Sequence, residues 1–136
     1  MSEHSVKPAV GREVLLRHVL RTEVVEVDEW GGKVILREMS AAQVVDFVRM
    51  NRAQDDNDPG ADMRRAAWTL ITCWVDEAGE PVLTTDDVDM LLATQPAALI
   101  NRLSTRAGVL SGMIPEAAAV AEKNSGSSQS DESGIS

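Results

Sequence analysis

The hydrophobic and polar positions between Thr22 and Ser40 follow a period of two. In Thr22–Val27, Val25 and Val27 point to one side while Val24 and Glu26 point to the other. In Val34–Met39, Val34 and Leu36 share one face, with Ile35 and Arg37 opposite. Successive side chains of a strand alternate in this way. The intervening Asp28, Glu29, Trp30, Gly31 and Gly32 supply turn chemistry, because glycine reaches the positive φ that tight hairpin turns demand. The pattern predicts a β-hairpin over residues 22–38. A two-stranded ribbon is marginal in water, so it must lie on helices or find another strand.

The rest of the chain reads with a helical period. Arg12–Leu20 predicts a short helix with Leu15, Leu16, Val19 and Leu20 on one face and Glu13, Arg17 and Arg21 on the other. Ser40 opens the next helix, with Gln43 completing a capping box. Its expected apolar stripe is Ala41, Val44, Val45 and Val48, with Gln43, Asp46 and Arg49 outside. The stretch AQDDNDPG, residues 53–60, ends it as a surface loop. Ala61–Val75 has the strongest helical pattern and predicts the central helix of the core. Met63, Ala67, Leu70, Ile71 and Trp74 face inward, widened by Trp68 and Val75, and Asp62, Arg65, Thr69, Thr72 and Asp76 form the polar stripe. After a turn at 76–81, Thr85 is the expected cap of a helix whose first turn holds Asp86, Asp87 and Asp89, with Val88, Leu91 and Leu92 inward. Pro96 suits a first helical position. Leu99, Ile100, Leu103, Ala107 and Leu110 follow as a further stripe, Gly112 as a stop and Pro115 as another start.

This is an α+β pattern: an N-terminal β-hairpin packed on a mainly α-helical bundle. The expected organisation is a flexible N-terminus over 1–10, a single domain over 11–123 and a tail over 124–136. The tail has six serines and almost no apolar content, so it should be disordered. A chain of 136 residues can bury roughly two-thirds of its unfolded surface, enough for a core without disulfide or metal staples. Val, Leu, Ile, Met and Ala must fill that core, since there are three Trp, one Phe and no Tyr.

The formal charge of -9 argues against nucleic acid and against an anionic membrane, both of which attract cationic surfaces. Cys73 is the only cysteine, which suits a reducing cytoplasm and excludes an intramolecular disulfide. The first ten residues lack the apolar region of a secretory signal, and no apolar run reaches the roughly 18–20 residues of a membrane helix.

Candidate chemistry is thin. His4 falls in the lead-in and His18 on the polar side of the first helix, so both read as surface residues. Cys73 lies on a buried-looking helix without a partner base and reads as core filler. Asp55, Asp56, Asn57 and Asp58 superficially resemble a calcium loop, but Pro59 intervenes and the ligand spacing fails. Asp86, Asp87 and Asp89 read as helix-start electrostatics. Gly31-Gly32 lacks a phosphate-loop pattern. No catalytic, cofactor or metal site is expected. Trp30 stands apart: in a turn it either folds back onto the helices or serves as an interface anchor, a role in which Trp is enriched.

The segment VEVDEWGGKVILREMSAAQ resembles the N-terminal signature of tail assembly chaperones from long-tailed bacteriophages and prophages. That signature has a Val-Glu-Val strand, an acid-Trp-Gly-Gly turn, a second strand, then Arg, Leu and Ser-Ala-Ala. ITCWVDEAGEPVLTTDDVDMLLATQPAALINRL is similar to the family's helix, acidic turn and next helix start, and VAEKNS to its usual close. The likeness spans about Thr22 to Ser125, and the hairpin is its specific part. Asp28 stands where the family has proline, a departure expected to loosen the turn, and Ser111-Gly112 stands for Asn-Gly.

The resemblance implies a non-catalytic protein of the infected host's cytoplasm, absent from the mature virion. It implies binding to the tape measure protein, keeping that client soluble, and recruitment of the tail tube (major tail) protein. It also implies a homo-oligomer and a longer frameshifted product sharing this N-terminal part. Trp30, Met50, Met90 and Met113 are the candidate partner-binding residues, methionine being adaptable at promiscuous surfaces. The alternative is an interaction or regulatory module of a mobile element with no tail client.

Overall fold

The computed structural model describes residues 7–115. His4, the serine-rich end over 124–136 and whatever follows Pro115 lie outside the described residues. Residues 7–10 are exposed and have no regular structure.

The hairpin forms in the expected place. β1 (Thr22–Val27) pairs antiparallel with β2 (Gly32–Arg37), Val25 opposite Val34 and Val24 opposite Ile35. The register puts Val27, Val34 and Leu36 in the core and leaves Val24 and Glu26 outside. Asp28–Trp30 make one 3-10 turn, and Gly31 closes it in the left-handed region at φ 66. The Gly31 N–H donates to the Asp28 carbonyl at 3.0 Å, so the turn closes without proline.

A third strand completes the sheet. The helix expected to run to Val75 ends at Cys73, and Trp74–Val75 form β3 against β2. The cause is the turn behind it. The Asp76 carboxylate accepts the N–H groups of Ala78 and Glu80, each at 2.9 Å, and Gly79 adopts φ 83. That turn returns Pro81 to bridge Val75, which holds Trp74 and Val75 extended.

Four longer helices cover the sheet: α2 (Ala41–Ala53), α3 (Ala61–Cys73), α4 (Val88–Thr94) and α5 (Ala97–Leu110). The Ser40–Gln43 capping box is present, the Ser40 hydroxyl accepting at 3.2 Å and the Gln43 side chain at 2.9 Å. α3 packs most extensively on α5 and also meets α4, α2 and β2, as expected of the central helix. Leu70, Leu99, Ile100 and Leu103 are fully enclosed with Val27, Val34, Leu36 and Cys73.

Four local expectations need correction. In α2 the buried residue is Phe47; Val44 is half-buried, and Ala41, Val45 and Val48 are exposed. The large ring turns the helix so that Phe47, Val44 and Met50 share the inner side, and smaller valines give way. Thr69 is buried within the predicted polar stripe because its hydroxyl donates to the Arg65 carbonyl at 2.9 Å. The helix cap is Thr84, in place of Thr85. Its backbone is extended, its Oγ1 accepts from the Asp86 N–H at 3.3 Å, and Asp87 accepts the Thr84 N–H at 2.8 Å. Pro96 lies one place earlier than expected, as the N-cap of α5, and its carbonyl accepts from Leu99 and Ile100.

The largest difference is at α1 (Arg12–Arg17), which buries no residue at all. The face expected to pack inward is open: Leu15, Leu16 and Val19 are 70%, 69% and 77% exposed.

Candidate interaction surfaces

The hairpin tip is fixed by stacking and hydrogen bonding together. The Trp30 ring stacks on Trp74 with centroids 5.2 Å apart and planes 10° from parallel. Its Nε1–H donates to Gln95 Oε1 at 2.8 Å, which satisfies the indole donor while the ring packs against the core. Trp74 reaches this position only because it lies on β3.

Ion pairs rivet the hairpin along α5. Arg102 donates to both oxygens of Glu29, at 3.2 and 3.1 Å, and Arg106 to both oxygens of Glu23, each at 3.1 Å. The Arg102 guanidinium, followed by a backbone N–H, holds Glu29 below the usual glutamate pKa. At the base, Glu38 is lowered first by the backbone N–H of Arg21 at 2.7 Å and then by its guanidinium. Arg21 also donates to the Leu110 carbonyl at 2.8 Å, which ties the start of the hairpin to the end of α5.

A groove of about 400 Å³ is lined by α2, the second half of α3 and the 81–85 segment. Phe47, Met50, Ile71 and Leu83 give it an apolar lining, and Asp46, Thr84 and Thr85 a polar one.

The four candidate anchors sit on four different elements. Trp30 is half-buried under its stacking partner, and Met50 lines the groove. Met90 on α4 is 47% exposed, and Met113, in the turn after α5, is 38% exposed. The exposed apolar positions that the periodicity missed are Val45 and Val48, together with the apolar side of α1. Only the single Phe in α2 pointed to the true inner face.

Cys73 is fully enclosed, and burial pushes its thiol pKa up, against a smaller opposing effect of the Ser111 hydroxyl at 3.6 Å. A thiol held protonated is a poor nucleophile. In the 53–60 loop, Asp55 and Asp58 accept the N–H groups of Asn57 and Gly60, while Asp56 pairs with Arg65. Those carboxylates shape a turn. Among the described residues no cluster of His, Cys, Asp or Glu has the arrangement of a metal site. None of their helices is long and apolar enough to cross a membrane.

No curated protein matches the chain. Among solved structures, the tail assembly chaperone of bacteriophage HK97 is similar in fold, with a TM-score of 0.52 and 24% identity over 67% of this chain and 85% of that one. The sequence model for phage tail assembly chaperones matches residues 14–125, a span that includes the hairpin, the groove and all five helices save the start of α1. By that match the chain belongs to the phage tail assembly chaperone family.

Proposed function

We propose that this protein binds the tape measure protein of its own phage, keeps it soluble and helps recruit tail tube subunits, without catalysing a reaction. Membership of the tail assembly chaperone family carries the reading. The physical basis is a set of apolar side chains left open on a small acidic body: Val24, Val45, Val48, Val82, Met90 and Met113. Such side chains cover apolar segments of a client, and a net charge of -9 keeps the pair dispersed. The site of action is the host cytoplasm, before the virion is complete. A longer frameshifted product would present the same body beside this one.

Co-expression with the tape measure protein of the same phage tests the reading. The expected result is a rise in soluble client and its co-purification with this chain. An unchanged soluble fraction overturns it.

A further inference from the structure

The sheet has an open edge. Its strand order is β1-β2-β3, so β2 is paired on both sides and β3 is bridged by Pro81, while among the described residues β1 has a neighbour on one side only. The Glu38 N–H donates to the Arg21 carbonyl at 2.9 Å. In an antiparallel ladder, alternate residues turn their backbone groups to the partner strand. Counting from Arg21, these are Glu23, Val25 and Val27, so the N–H and C=O groups of Thr22, Val24 and Glu26 point away from β2. Among the described residues no backbone group outside the ladder bonds to them. Their side chains are exposed too, that of Val24 by 56%. A row of open donors and acceptors on a six-residue strand is a template for one more strand.

The neighbour that β1 already has shows which side chains such a strand needs. Lys33, Val34 and Ile35 lie opposite Glu26, Val25 and Val24. Side chains of a strand flank both of its neighbours, so the outer edge offers the same acid and the same two valines. All three still have something to give. Lys33 pairs with Glu77 at 3.7 Å, and among the described residues Glu26 has no ion-pair partner. Val24 is open and Val25 half-buried. The Glu23 carboxylate, in contrast, is taken by Arg106. This chain's own matching run, Lys33–Ile35, is held between β1 and β3, so a folded second copy does not present it. A body of charge -9 also attracts a cationic segment in preference to its own kind.

From this we infer that the β1 edge takes up an extended segment of another polypeptide as a fourth, antiparallel strand, with a Lys or Arg opposite Glu26 and apolar residues opposite Val25 and Val24. Main-chain hydrogen bonds to Thr22, Val24 and Glu26 hold the segment, and the side chains select it. This goes beyond the client reading, which asks only for apolar cover: here the partner's backbone is extended and its basic and apolar residues come in a fixed order.

The probe is a fluorescein-labelled peptide, Gly-Lys-Val-Ile-Leu-Arg, which copies β2. In the free protein, amide hydrogen exchange should be slow at Glu23, Val25 and Val27 and fast at Thr22, Val24 and Glu26. Saturating peptide should slow the fast set by about tenfold or more. N-methylation of the peptide at its Ile, whose N–H faces the edge, should weaken binding by about tenfold or more in fluorescence anisotropy; N-methylation at its Val, whose N–H faces away, should leave binding unchanged. Val24→Pro removes an outward N–H and spares the β1–β2 ladder, so the variant should melt near the parent and lose the peptide by a similar factor. Glu26→Lys should lose this peptide and bind the one with Glu in place of Lys. No binding at millimolar peptide overturns the inference. So does slow exchange at Val24 and Glu26 in the free protein, which marks an edge already covered, or protection there that grows with protein concentration, which gives the edge to a second copy. Equal weakening by both N-methyl peptides overturns it as well, as does faster exchange at Val34 and Leu36 on adding peptide, the sign of β2 displaced. If Val24→Pro fails to fold, the N-methyl pair and the exchange pattern decide alone. None of these readouts involves the tape measure protein, so the client reading is untouched by the result.

Discussion

The α1 arm and the β1–β2 hairpin are neighbours in sequence, and each has one apolar face, yet their fates differ. Val27, Val34 and Leu36 of the hairpin are enclosed, and its Glu23 and Glu29 find fixed partners on α5. The arm's leucines remain in water. An apolar face states only that an element has something to cover. Whether its own chain covers it depends on what comes back to meet it. α5 returns along the hairpin and supplies both Leu103 and the two arginines; nothing among the described residues returns to α1. The same contrast recurs inside α2, where Phe47 is buried and Val48, the next residue, is open.

The sharpest way to break this comparison is to truncate each region in turn. Phe47→Ala or Leu103→Ala should cost about 2–5 kcal/mol in urea unfolding, the range for large buried side chains. Leu15→Ala and Val48→Ala should stay within about 0.5 kcal/mol. Equal losses from both sets would show that the arm is part of the folding unit after all.

Trp30 sets a middle scale. Trp30→Phe keeps a ring on Trp74 but removes the donor to Gln95, and should cost about 1 kcal/mol. Trp30→Ala should cost about 2–3 kcal/mol, less than a fully enclosed Trp because the ring is half-buried. A double-mutant cycle with Trp74→Ala should return a coupling of about 0.5–1.5 kcal/mol, the range for an aromatic pair. A coupling of zero would mean that the stack is incidental to holding the hairpin tip.

The smallest effect is that of pH. Glu29 and Glu38 have folded pKa values below the ordinary one, so the unfolded chain binds their protons more readily. Their contribution is fully present above the unfolded glutamate value of about 4.3 and is lost as the pH falls through the lower folded values. Thermal melts from pH 6 to pH 3 should therefore slope less in Glu29→Gln than in the parent. The Glu29–Arg102 pair is about half exposed and screened by water, so the difference should be slight. An unchanged slope would show that the hairpin's rivets orient it without adding to stability.

Much of this structure was legible in the sequence, for physical reasons that can be named. A strict alternation with a double-glycine turn leaves few alternatives to a hairpin, and the Ser40–Gln43 box is a local contact that needs no tertiary help. The alternation also grouped Val25 with Val27 and Val34 with Leu36, the sides that turn out to face inward. β3 was not legible, because Trp74 and Val75 fit a helical stripe as well as a strand, and only pairing with β2 decides between them. In α2, valines at helical spacing outvoted one phenylalanine, although the larger side chain gains more from burial and sets the rotation of the helix. The Trp30–Trp74–Gln95 cluster and the groove join residues far apart in the chain, and no periodicity reports such meetings.

The Arg21–Leu110 hydrogen bond has one further consequence, reinforced by the Met39 N–H donating to Ser111 Oγ at 2.9 Å. It brings the entry and exit of the folded body to one pole. A polypeptide grafted after Pro115 would leave beside the arm. For the same reason the body should accept circular permutation: a short linker from residue 115 to residue 20, with new ends opened in the 54–60 loop, would preserve every strand pairing.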